Sequence, residues 1–219
     1  MSILFLVAAF CNIIRYRRFP FNHVKGVRES MNAQGQTLHI ADSIHHTIPG
    51  GVQGEYVAVL GEQYYCIQNY DQMPPFFINV VSSSDHWMFI SSTGGLSAGR
   101  QNADSALFPY YTVDKVTENH ENTGHKAILL ITKGERTFFW EPFWAKYVDL
   151  YRTQRNLYKN VYGNKLLFEE INYDLDLTYR YAWRTSERYG FVKTAWLRNG
   201  SVAPCTCLLY TSDAADDFA

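Results

Sequence analysis

Apolar and polar positions alternate most regularly from Leu175 to Arg184. Leu175, Leu177, Tyr179, Tyr181 and Trp183 take the odd positions, and Asp176, Thr178, Arg180 and Arg184 take most of the even ones. A period of two is that of a strand with one buried and one wetted face. Shorter runs rich in Val, Ile, Tyr, Phe and Trp recur from Glu55 onward. They cover 55–60, 63–68, 76–81, 86–91, 126–132, 136–140, 156–161, 165–171 and 191–197, and each reads as a strand. No segment sustains a 3.6-residue apolar period for three turns, so any helix is expected to be short.

Gly61-Glu62, Lys133-Gly134 or Gly134-Glu135, and Gly163-Asn164 separate consecutive runs. Each places a glycine where a tight hairpin needs positive φ, which favours antiparallel pairing of neighbours in sequence. Helical crossovers of the length parallel sheets require are absent, so the pattern predicts an all-β, antiparallel β-sandwich. Residues 15–54 hold scattered Gly, Asn, Ser and His, and 1–54 is read as an irregular segment ahead of a sandwich domain spanning 55–204. The stretch 205–219, Cys-Thr-Cys-Leu-Leu-Tyr-Thr-Ser-Asp-Ala-Ala-Asp-Asp-Phe-Ala, breaks the rhythm and reads like translated adaptor sequence. It is excluded from the expected fold as a non-native tail, which leaves the domain incomplete at its C-terminal side.

Composition supports a folded sheet protein: 47% of the 219 residues are hydrophobic and 16% aromatic against 19% charged. A net charge of -1 and a pI near 6.6 supply no field to attract a phosphate backbone, so nucleic acid is not an expected partner. Cys11, Cys66, Cys205 and Cys207 lack the paired spacing of a structural zinc site, and the His39, His45 and His46 group lacks a third ligand. Neither a metal nor another cofactor is expected. The apolar run Ile3–Phe10 is too short to span a bilayer, and Arg15, Arg17 and Arg18 follow it where a secretory signal would place them ahead.

Chemistry is most concentrated after the strand ending at Ile90, in the small-residue stretch 91–104 and the aromatic stretch 107–115. Three glycines permit a sharp turn or close approach to a ligand, but no phosphate loop follows, because a Lys-Ser/Thr pair and an opening helix are missing. Arg100, Asn102 and Asp104 offer donors and acceptors. Tyr110 and Tyr111 beside Asp114 offer rings that can cover the C–H face of a pyranose. Arg100 and Asp104 are expected either to bind each other or to bind a sugar edge. Glu169-Glu170 and Asp174 with Asp176 are paired carboxylates; neighbours on a strand point to opposite faces, so Glu169 and Glu170 cannot easily serve one substrate. All four read as groups on solvated faces. No catalytic residue is identified.

The order Met73-Pro74-Pro75-Phe76-Phe77-Ile78, then Asp85-His86-Trp87-Met88-Phe89-Ile90-Ser91-Ser92-Thr93-Gly94-Gly95, then Gly99-Arg100 resembles the N-terminal domain of cellobiose-phosphorylase-like enzymes of glycoside hydrolase family 94. The run from Phe168 through Trp183 to Asn199 is similar to that domain's later strands. The resemblance implies a supersandwich-like, non-catalytic β-sandwich. In the parent enzyme a helical (α/α)6 barrel, none of which is in this chain, would supply the acid for phosphate attack on a sugar. It also implies supporting roles for Arg100, Asn102, Asp104 and Asp114, an oligosaccharide partner, and a homodimer formed through the parent enzyme. The stretches 98–104 and 108–111 depart from the better-known phosphorylases. A stand-alone carbohydrate-binding or cell-surface β-sandwich is the competing expectation.

Overall fold

A computed structural model describes residues 4–10, 38–39, 51–108, 112–144 and 150–213, which are mostly strand with one short helix. The strands are β1 (Leu4–Phe10), β2 (Leu38–His39), β3 (Gln53–Val59), β4 (Glu62–Gln68), β5 (Phe77–Val80), β6 (His86–Ser91), β7 (Leu96–Arg100) and β8 (Ala106–Phe108). After the helix α1 (Val113–Glu118) come β9 (His125–Lys133), β10 (Arg136–Trp140), β11 (Thr153–Asn160), β12 (Lys165–Asn172), β13 (Leu177–Ser186), β14 (Gly190–Asn199) and β15 (Thr206–Asp213).

They form a seven-stranded sheet in the order β1-β14-β13-β12-β11-β4-β3 and two four-stranded sheets, β15-β9-β10-β2 and β5-β6-β7-β8. Pairing is antiparallel except for β1 on β14 and β2 on β10. The alternation read from residues 177–183 is the packing alternation. Leu177, Tyr179, Tyr181 and Trp183 enter one core with Phe168 and Leu166 of β12, Leu129 and Ile131 of β9, and Met88 and Ile90 of β6. Both small sheets thus pack on one face of the large one, the sandwich-like all-β arrangement anticipated from the pattern.

Turn chemistry follows the glycines with one displacement. The β3–β4 hairpin turns on Leu60 and Gly61, at φ 50 and 82, so both central residues are left-handed as a twisted two-residue hairpin requires. Gly134, φ 60, begins the two-residue β9–β10 turn, whereas β11 and β12 are joined by a longer loop around Gly163.

Three expectations change. The segment 1–54 is not wholly irregular: β1 pairs with β14 over seven positions and β2 with β10 over two. The stretch excluded after residue 204 contributes β15, an edge strand in register with β9 from Thr206↔Thr132 to Asp213↔His125. Cys205, Cys207 and Leu209 alternate toward the core, a period the odd composition of the following residues concealed. The glycine-rich stretch is a turn followed by a strand, because β7 begins at Leu96 and runs through Ser97, Ala98 and Gly99.

Candidate functional site

The β6–β7 hairpin positions the most distinctive surface of the protein. Ser91 N donates to Gly95 O at 2.8 Å and Gly94 N to Ser91 O at 2.9 Å, with Gly94 at φ 97. From this turn the strands diverge in what their faces do. Ile78, Val80, Met88, Ile90, Leu96 and Ala98 are buried in the core, so Phe77, Trp87 and Phe89 stand on the opposite face, each partly exposed. Phe77 and Phe89 lie 15° from parallel with centroids 5.4 Å apart. Trp87 and Phe89 are tilted by 38° at 5.9 Å.

Phe77 and Phe89 are stacked on each other, and small residues beneath let Trp87 sit close to the sheet. A Cβ at Gly99 would collide with the Trp87 ring and come within 2.8 Å of the Ala106 Cα, so glycine is what lets the indole lie across β7. Trp87 Nε1 donates to Asn102 O at 3.3 Å, which fixes the orientation of the ring. α1 covers the other end of the same face: Ser91 Oγ donates to Thr117 Oγ1 at 3.2 Å, and Thr93 Oγ1 to Thr117 O at 3.0 Å.

The rim beside Trp87 carries three of the residues singled out from the sequence. Arg100 ends β7 and is exposed; Asp104 is exposed one helical turn later in the 3₁₀ segment Ala103–Ser105. Among the described residues they form no ion pair with each other. Asn102 caps that segment, its Oδ1 accepting from Ser105 N at 3.2 Å. Asp114 lies exposed in the first turn of α1, on the element that covers the hairpin end of the face. Tyr110 and Tyr111 lie outside the described residues. His86, opposite Arg100 in the β6–β7 register, shares its Nδ1 with Ser84 Oγ at 2.8 Å. Burial holds this imidazole below its ordinary pKa, and the Arg100 charge adds to the effect.

Trp87, Phe89 and Phe77 were not identified as a site from the sequence. The signal was present: in Trp87-Met88-Phe89-Ile90 both alternate sets are apolar, although one face suffices for a core.

The paired carboxylates behave differently from expectation. Glu169 and Glu170 do point to opposite faces of β12, but both are buried, not solvated. On the core side, Glu170 Oε1 accepts from Trp140 Nε1 at 2.9 Å, and Oε2 accepts from Phe143 N at 2.6 Å and Arg155 Nε at 2.8 Å. On the outer side, Glu169 Oε1 accepts from Asn156 Nδ2 at 2.8 Å and Tyr158 Oη at 2.6 Å, while Oε2 pairs with Arg180. Every carboxylate oxygen is occupied, so neither group is open to a substrate. The small cleft beside Arg155 and Glu170, lined also by Trp140, Trp144 and Tyr151, belongs to this network. Asp174 and Asp176 sit in the β12–β13 turn and not on a strand; Asp174 accepts from Arg152 N and Nε, each at 2.7 Å.

Among the described residues no group of three His, Cys, Asp or Glu side chains is placed to hold a metal, and no helix is long and apolar enough to cross a membrane. No protein-family model matches the chain, and a search of curated proteins returns no relative.

Proposed function

We propose that this chain is a non-catalytic, sugar-contacting β-sandwich domain of a large carbohydrate-active enzyme. The single observation that carries this reading is the cluster of partly exposed rings Trp87, Phe89 and Phe77 on an outer sheet face, beside the exposed Arg100 and Asp104. Aromatic faces cover the C–H surface of a pyranose, while a guanidinium and a carboxylate bind its hydroxyls. The saturated hydrogen bonding of Glu169 and Glu170 removes that pair from the candidates for an acid and a nucleophile, since glycoside cleavage needs one carboxyl free to give a proton and a second group or phosphate to attack. The resemblance to the front domain of cellobiose-phosphorylase-like enzymes fits the same reading, with recognition, shaping of an active-site entrance, or assembly as the contribution to a parent enzyme.

The aromatic cluster serves a stand-alone carbohydrate-binding module equally well, and a longer reading frame that encodes a helical barrel distinguishes the two. The direct test is calorimetry of the purified chain against a panel of oligosaccharides, alongside an assay for sugar phosphate from disaccharides with inorganic phosphate. Binding that Trp87→Ala removes, with no turnover, is expected. Turnover by the chain itself, or a panel that binds nothing, overturns the proposal.

A further inference from the structure

Sheet edges in this fold differ in how they are closed. β5 ends the sheet β5-β6-β7-β8 and is tied down: Lys159 of β11 donates from Nζ to Asn79 O and, at 3.3 Å, to Asn79 Oδ1, and Val81 N donates to Gly163 O at 2.9 Å. β3 ends the seven-stranded sheet, and its far side meets no described strand. Natural edges are guarded by Lys, Pro, a bulge or a very short strand. β3 has none of these. Gln-Gly-Glu-Tyr-Val-Ala-Val holds no Lys, Arg or Pro, and its register with β4 runs unbroken from Gln53↔Gln68 to Val59↔Glu62. Five of its seven residues are exposed, and the other two, Val57 and Val59, are partly so.

The side chains of this edge suit pairing with their own kind. Tyr56 is 67% exposed and packs edge-on against Tyr65 of β4, with centroids 5.2 Å apart, and the Tyr65 ring crosses over Gly54, where a Cβ would collide with it. Tyr56 is also the central residue of β3. A second β3 laid antiparallel across a two-fold axis at Tyr56 pairs all seven positions: Tyr56 with Tyr56, Glu55 with Val57, Gly54 with Ala58 and Gln53 with Val59. No carboxylate then faces another, and Glu55 Oε1 already accepts from Gln68 Nε2 at 2.7 Å. The two-fold keeps the same sheet face upward in both copies, so Tyr65, Tyr56 and their mates form one ladder of four rings across the joint. We infer that the β3 edge binds a second copy of this chain, joining two seven-stranded sheets into one continuous sheet. Isologous pairing uses up the edge, so association stops at two. The contact belongs to the chain itself and rests on neither the sugar-contacting reading nor a parent enzyme.

The test is analytical ultracentrifugation of the purified full chain from about 10 µM to 1 mM, the range in which an interface this small dissociates. A concentration-dependent equilibrium between monomer and dimer is expected. Tyr56→Lys sets like charges face to face and should weaken the dimer at least tenfold. Ala58→Lys, a guarding lysine at another exposed position of the edge, gives a second probe if Tyr56→Lys melts below the parent. An equimolar mixture of Tyr56→Lys and Tyr56→Glu should restore the dimer, because the facing charges then attract. A chain that stays monomeric throughout overturns the inference. So does a dimer that both lysine variants leave intact, and so does a mixture that stays monomeric, since each places the contact away from the Tyr56 two-fold.

Discussion

Two regions of the sandwich treat their charged groups in opposite ways. In the seven-stranded sheet one charged pair is inside and fully spoken for: Arg155 and Glu170 face each other within the core, with Trp140 and the Phe143 backbone completing the carboxylate's shell. At the β5–β8 sheet Asp85, Arg100 and Asp104 are exposed, and Trp87, Phe89 and Phe77 stand partly exposed on its outer face. A satisfied buried network identifies structure, since removing a ligand changes nothing about it. A partly exposed aromatic cluster with exposed polar neighbours is what the proposed contact with a sugar rests on.

Breaking the core network should give the largest effect. Arg155→Met leaves the Glu170 carboxylate buried without its cation, and a loss of about 3–5 kcal/mol in urea denaturation is expected. A loss below about 1 kcal/mol would place that network on the surface side of the comparison.

Gly99→Val attacks the aromatic cluster through the sheet beneath it. The added side chain meets Trp87 and the Ala106 backbone, so overpacking should cost about 1–3 kcal/mol and shift tryptophan emission as the indole lifts. Unchanged emission would show that the ring does not rest on β7.

Acid should sharpen the comparison from within. His125 of β9 stacks against Tyr179 and Tyr181, its Nε2 2.8 Å from Tyr179 Oη, and burial together with the Lys193 charge holds it well below the ordinary value of 6.5. The unfolded chain therefore binds a proton that the folded chain refuses once pH falls below about 6.5. Stability is full above that pH and declines below it, by about 1.4 kcal/mol for each tenfold difference in proton affinity. His125→Gln should flatten the decline between pH 6.5 and 4.5. An unchanged profile assigns the acid sensitivity elsewhere.

The smallest effect on stability belongs to the rim. Arg100→Ala and Asp104→Ala should each change stability by no more than about 0.5 kcal/mol, because both groups are exposed and make no ion pair with each other. Either should still weaken sugar binding measurably. A large loss of stability would move Arg100 into the structural class.

Much of the architecture follows from local pattern. Residues 177–183 specify their own buried face because the side-chain period of a strand is two, and Gly61 and Gly134 mark hairpins because few other residues accept positive φ. Arg100, Asn102 and Asp104 stood out through composition near a run of glycines. What they border did not, because the partnership of Trp87 with Gly99 arises from β6–β7 register, and that of Phe77 with Phe89 from β5–β6 register. The same limit explains Glu169 and Glu170. Alternation placed them on opposite faces, but only the neighbouring strands, through Arg155, Asn156, Tyr158 and Arg180, made both faces buried and both carboxylates satisfied. A chain's periodicity decides which way a side chain points; strand order and sheet packing decide what it meets, because those contacts join residues distant in sequence.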